Sequence, residues 1–111
     1  MKRFNYKSKY ENHKDCYFRI SHYQENDNLA IEIWNDEGNI TRVTVNPGIK
    51  LPEDWIAVKD YSENEGMLEF LKSMSIVNEK QTMTVESGFV TIPVYKLSEE
   101  GKDLLGLGGL C

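Results

Sequence analysis

Residues 29–46 restrict this chain more than any other segment. Leu29, Ile31 and Ile33 alternate with Ala30, Glu32 and Trp34; Asn35-Asp36-Glu37-Gly38-Asn39 interrupts; then Ile40-Thr41-Arg42-Val43-Thr44-Val45-Asn46 resumes the period of two. That period sends successive side chains to opposite faces of an extended strand, and Asn, Asp and Gly tolerate the backbone angles of a tight turn. The segment therefore predicts a β-hairpin with one apolar face, which needs a second layer to cover it.

The remaining signals supply that layer. Residues 16–23 are rich in aromatic and β-branched side chains and end at the polar cluster 24–28, so they read as a strand and a turn. Pro47-Gly48 and Pro52 punctuate the next stretch, and residues 54–59 read as a short strand. Ser62 and Glu65 have the spacing of a capping box, and Met67, Leu68, Leu71 and Met74 follow at helical spacing, which predicts an amphipathic helix to about Ser75. Residues 82–85 and 89–95 read as two more strands around Ser87-Gly88, with Pro93 placing its strand at an edge or a bulge. Ser98-Glu99-Glu100 caps a last short helix through Leu105. The expected class is α+β: an antiparallel sheet of about five or six strands, one main helix on one face and a short C-terminal helix. A single domain over residues 1–111 is expected, with a loose basic leader over 1–14 and a flexible glycine-rich tail over 106–111.

Charge narrows the function classes. The chain has 111 residues and a net charge of -5, which argues against generic DNA binding. Lys2, Arg3, Lys7, Lys9 and Lys14 face only Glu11 in the first fourteen residues. By contrast Glu25, Asp27, Glu32, Asp36 and Glu37 form a stretch without a cation, and Glu53, Asp54, Asp60, Glu63, Glu65 and Glu69 form another relieved only by Lys59. Such stretches are either solvated faces or a surface that competes for a partner's basic groove. Trp34 lies on the face opposite Ile31 and Ile33, so it covers the outer side of the sheet or anchors a contact there. Tyr6, Tyr10, Tyr17 and Tyr23 stand among lysines, a weaker hint of single-stranded nucleic-acid stacking. No run approaches the roughly 18 apolar residues of a membrane span, and polar residues follow the basic start where a signal peptide carries its apolar core, so a cytoplasmic protein is expected. Cys16 and Cys111 are far apart, and a disulfide between them is not expected.

No chemistry is signalled. His13 sits in the leader and His22 on the first strand; Cys16 and His22 lie six positions apart, about 20 Å along a strand and too far for a nucleophile and its base. No metal-ligand spacing occurs, the carboxylates around Gly38 lack the distal glutamate of a calcium loop, and residues 106–109 lack the lysine and helix of a phosphate cradle. No catalytic residue, metal or cofactor is assigned, and a non-enzymatic protein is expected.

Several short motifs run in order along the chain: Leu29-Ala30-Ile31-Glu32, Thr44-Val45-Asn46, residues 55–60 (Trp-Ile-Ala-Val-Lys-Asp), Ser87-Gly88-Phe89-Val90 and Pro93-Val94-Tyr95. In these, over residues 29–95, the chain resembles an uncharacterised small bacterial domain family carried by conjugative transposons and plasmids. Members have Asn-Leu after the Thr-Val and an Asp-Thr-Asn-Asn-like run before the helix. Here Pro47 and Asp60-Tyr61-Ser62-Glu63 stand in those regions, so those asparagines carry nothing over. The resemblance implies a setting on mobile DNA, where small accessory proteins often counter host defence, and some small acidic ones inhibit CRISPR effector nucleases. The expectation is an anti-CRISPR inhibitor that binds a type II effector nuclease or its guide RNA complex. Its contact residues are expected to be Glu32, Trp34, Asp36, Glu37, Glu63 and Glu65, with the Tyr17 and Tyr23 rings as further anchors. The alternatives are an accessory module for conjugation or plasmid maintenance, or an enzyme.

Overall fold

The computed structural model describes residues 3–107, apart from the side chains of Glu63 and Ser87. Strands β1 (Phe4–Lys7), β2 (Asn12–His22), β3 (Leu29–Asn35) and β4 (Gly38–Arg42) form a four-stranded antiparallel sheet in chain order. Strands β5 (Trp55–Ala57), β6 (Met83–Ser87) and β7 (Val90–Lys96) form a second antiparallel sheet, ordered β5-β7-β6. Helix α1 (Met67–Ser73) lies between β5 and β6 in the chain, and α2 (Glu99–Leu104) follows β7. The mixed α+β composition stands, but two sheets of four and three strands replace the single sheet expected.

The hairpin predicted over 29–46 forms only in its first part. Asn35 pairs with Gly38 across Asp36-Glu37, the Asn35 carboxamide accepts the Glu37 N–H, and Gly38 adopts φ 124. After Arg42 the same extended run changes partner. The Val43 N–H still donates to Ile31, but the Val43 carbonyl accepts from Lys59 at 2.9 Å and the Val45 N–H donates to Ala57 at 3.0 Å. Thr44, fully buried, sits at this crossing: its hydroxyl accepts the Ile31 N–H at 3.1 Å and meets the Tyr23 hydroxyl at 3.3 Å. A single alternating segment thus stitches the two sheets together. Alternation reports the buried face but not the neighbouring strand, so the change of sheet left no trace in the pattern.

Two further expectations change. The basic leader is not loose over its described length: Phe4 and Tyr6 point inward from β1, and Tyr6 is buried against Phe70 of α1 with ring centroids 5.0 Å apart. The helix does not start at Ser62. Ser62–Asn64 is a 3₁₀ turn with Ser62 at φ 58, and α1 begins after Gly66. Asp60 takes the capping role, its carboxylate accepting the N–H groups of Gly66 and Leu68 at 3.1 and 3.0 Å. The cause is Asn64, buried beneath β4, where its carboxamide accepts from the Thr41 hydroxyl at 2.6 Å and donates to the Arg42 carbonyl. A helix continuous through Ser62 would carry that side chain off the sheet.

Pro93 lies on the central strand of the second sheet, not at an edge. Its carbonyl accepts from Val58, one residue beyond β5, so the missing N–H falls on the β5 side of the strand, past the end of that ladder, and the bonds to β6 are untouched. The expected C-terminal helix forms as α2, capped by the Ser98 hydroxyl accepting from Gly101 at 2.9 Å. The tail beyond Leu107, with Cys111, lies outside the described residues.

The main core lies between the inner face of the first sheet, α1 and one face of the second sheet. Ile31, Ile33, Val43, Ile56, Met67, Leu71 and Leu97 meet there, each almost wholly shielded from solvent. A smaller cluster of Leu51, Ala57, Ile92 and Val94 covers part of the second sheet's other face.

Candidate interaction surface

Packing the inner face of the first sheet against α1 leaves its outer face to solvent, and the cross-strand register decides what gathers there. Tyr17 lies opposite Trp34, Arg19 opposite Glu32, and Glu32 opposite Arg42. The Arg19 guanidinium stacks 4.2 Å over the Trp34 ring, and Arg3 stacks 4.6 Å over Tyr17. The Trp34 indole N–H donates to the Glu32 carboxylate at 3.0 Å, and Arg42 approaches that carboxylate at 3.8 Å. Arg3 also donates to the Asp15 carbonyl at 2.8 Å and pairs with Asp36 at 3.4 Å. Each ring therefore carries a guanidinium on its face, and Glu32 is half-buried between an indole and an arginine.

The stretch that lacks a cation in sequence thus acquires two from neighbouring strands, Arg19 and Arg42, and a third, Arg3, from just before β1. Glu32 is a neutralised member of an arginine–aromatic face rather than a bare negative charge, whereas Asp36 only touches Arg3 and keeps its carboxylate largely in solvent. Glu37 and Asp36 form the β3–β4 tip, beside a shallow depression bordered by Glu11, His13, Lys14 and Asp15. Glu65 is exposed and paired with Lys9 at 3.4 Å, next to the β1–β2 turn. Glu63 belongs to the 3₁₀ turn, and its side chain lies outside the described residues. Trp34, Glu32 and Asp36 are brought together; Glu65 stands apart from them. Of the other suggested anchors, Tyr17 belongs to the face, whereas Tyr23 points to the sheet crossing at Thr44.

Arg3, Arg19 and Arg42 escaped the sequence reading. The available signal was parity: Tyr17 and Arg19 share the outward positions of β2, and whatever strand lay beside them had to stack on or pair with them.

Elsewhere among the described residues, the groups that bear on chemistry are Cys16, the two histidines and one lysine–carboxylate cluster. The Cys16 thiol is buried, and that burial pushes its pKa up, away from a nucleophile's range. His13 stacks on Tyr6, with its Nε2 3.9 Å from Glu11. His22 borders an open cleft of about 550 Å³ with Asp27, Glu53 and Asp54. In that cleft Asp54 is held by Lys96 at 3.9 Å and Lys102 at 3.4 Å, and hydrogen bonding to Glu99, then Asp54, raises the Lys102 pKa. No group of three metal-ligating side chains occurs among the described residues, and no helix there is long and apolar enough to cross a membrane. No family model, curated protein or solved structure matches the chain.

Proposed function

We propose that this chain is a non-enzymatic, protein-binding inhibitor encoded on a mobile genetic element, and that its target is a type II CRISPR effector nuclease or that nuclease's guide RNA complex. The observation that carries the binding reading is the Trp34–Arg19–Glu32–Arg42 cluster with Arg3 on Tyr17 beside it. Trp, Tyr and Arg dominate the energetics of protein interfaces: the two rings bury large area while few rotatable bonds freeze, and arginine adds stacking and bidentate hydrogen bonds. Here the stacking already fixes them before a partner arrives, so little ordering cost remains on docking. The guanidiniums cover the ring faces, which disfavours base stacking and favours contact with protein. The choice of target rests on the mobile-element resemblance and on the net charge of -5.

In this mechanism Trp34 and its arginines anchor the contact, while Asp36 and Glu37 at the adjoining tip steer the chain toward a basic groove. Steering of that kind weakens as salt rises, since the Debye length falls from about 10 Å at 0.1 M to about 3 Å at 1 M. The test is DNA cleavage by a purified, guide-loaded type II effector, with the wild-type chain or with Glu32, Asp36 and Glu37 all changed to lysine. Inhibition by the wild type, lost in the variant and weakened by salt, is expected. Equal inhibition by both proteins removes charge steering, and no inhibition by the wild type removes the target.

A further inference from the structure

Strand β6 is an outer strand of the second sheet, and among the described residues nothing pairs with its far side. Edge strands are ordinarily protected by charged side chains, above all lysine, by a proline or by a bulge. Outer strand β1 of the first sheet has two of these: Lys7, and a register irregularity between Phe4 and Tyr6. Strand β6, Met83-Thr84-Val85-Glu86-Ser87, has a single charge, Glu86, with neither cation nor proline, and its register with β7 runs unbroken from Met83 to Ser87.

The backbone direction of that edge follows from β7. The Pro93 carbonyl points to β5, where it accepts from Val58, so its cross-strand partner Thr84 turns its N–H and C=O away from β7. Glu86, opposite Thr91, does the same. Thr84 and Glu86 thus present four unpaired backbone groups along the edge. On one face of the same hairpin Met83, Val85 and Val90 are only partly covered, and Phe89 at the turn is fully exposed, at 108%. The turn explains Gly88, with φ 62, but places no demand for an aromatic ring beside it.

We propose that β6 is a self-association edge, along which two copies of the chain join antiparallel about Val85 and double the three-stranded sheet. Register selects this arrangement. Centring on Val85 sets Thr84 opposite the second copy's Glu86 twice, so all four outward groups on each strand find partners. Centring on Thr84 uses only one outward pair, and centring on Glu86 sets two carboxylates face to face, which is repulsive. About Val85 the two partly covered apolar faces become continuous. The Trp34 face, on the other sheet, stays open in both copies, so the inference does not depend on the inhibitor reading.

The test uses the full chain with Cys111→Ala. Sedimentation velocity across a concentration series is expected to show a monomer–dimer equilibrium, shifted wholly to monomer by Thr84→Pro, which removes an outward donor and no β6–β7 bond. Val85→Cys places two thiols at a directly opposed pair, with Cβ atoms about 4.5–5.5 Å apart, within disulfide reach. Met83→Cys places them four residues out of register, about 13 Å apart. Rapid cross-linking of Val85→Cys and none of Met83→Cys is the expected result. A chain monomeric at every concentration, or Val85→Cys cross-linking no faster than Met83→Cys, overturns the proposal. The cross-link pair keeps it falsifiable if Thr84→Pro fails to fold.

Discussion

Asn64 shows how one buried amide redirects a backbone. It accepts from the Thr41 hydroxyl and donates to the Arg42 carbonyl, so it ties the turn before α1 to the underside of β4. Asn64→Ala leaves both partners unsatisfied and is expected to cost about 1–3 kcal/mol, read as a drop in the urea midpoint at constant m-value. In the sequence, Asn64 sits inside a sound capping box, and local pattern alone favoured the helix start at Ser62; a hydrogen bond across more than twenty positions overrode it. Cys16 gives a pH test. Its folded pKa is raised by burial, so the unfolded chain ionises first. Its contribution to stability is therefore full below the unfolded thiol pKa, about 8.5, and declines as pH rises beyond that. Stability measured between neutral pH and pH 10 should fall less steeply in Cys16→Ala than in the wild type, although that variant starts lower; an unchanged slope contradicts the assignment.

At the level of elements, apolar alternation located most of the second-sheet and hairpin strands because their faces are unequally buried. It missed β1, where Phe4-Asn5-Tyr6-Lys7 offers only two inward side chains among cations. Capping chemistry located α2 through Ser98, whereas α1 is capped from Asp60, upstream of the turn. Helix α2 closely approaches the segment after α1. A Cβ on Gly101 would stand 2.0 Å from the Ile76 carbonyl oxygen, which is also the acceptor of the Ser98 N–H. Gly101→Ala must therefore push α2 off residue 76, with an expected loss of about 1–3 kcal/mol in thermal or chemical unfolding. A change near zero would mean that α2 docks more loosely than this geometry requires.

At the scale of the molecule, the sequence locates charge along the chain and the fold relocates it. The stretch from Glu25 to Glu37 holds no cation in sequence, yet the sheet lays Arg3, Arg19 and Arg42 across it. A surface composed by cross-strand register was not legible until the strand neighbours were known, although Trp34 and Glu32 were recognisable as its outward members. The central claim is that this outer face anchors a protein partner. Its most direct test is a calorimetric titration of wild type and Trp34→Ala into a guide-loaded type II effector nuclease. The account predicts saturable binding by the wild type and at least about 30-fold weaker binding by the variant, equivalent to about 2 kcal/mol. The variant's own unfolding free energy should fall by only about 1–2.5 kcal/mol, from the lost cation–π contact and the lost hydrogen bond to Glu32. Equal affinity for both proteins, or no binding by the wild type, would contradict it.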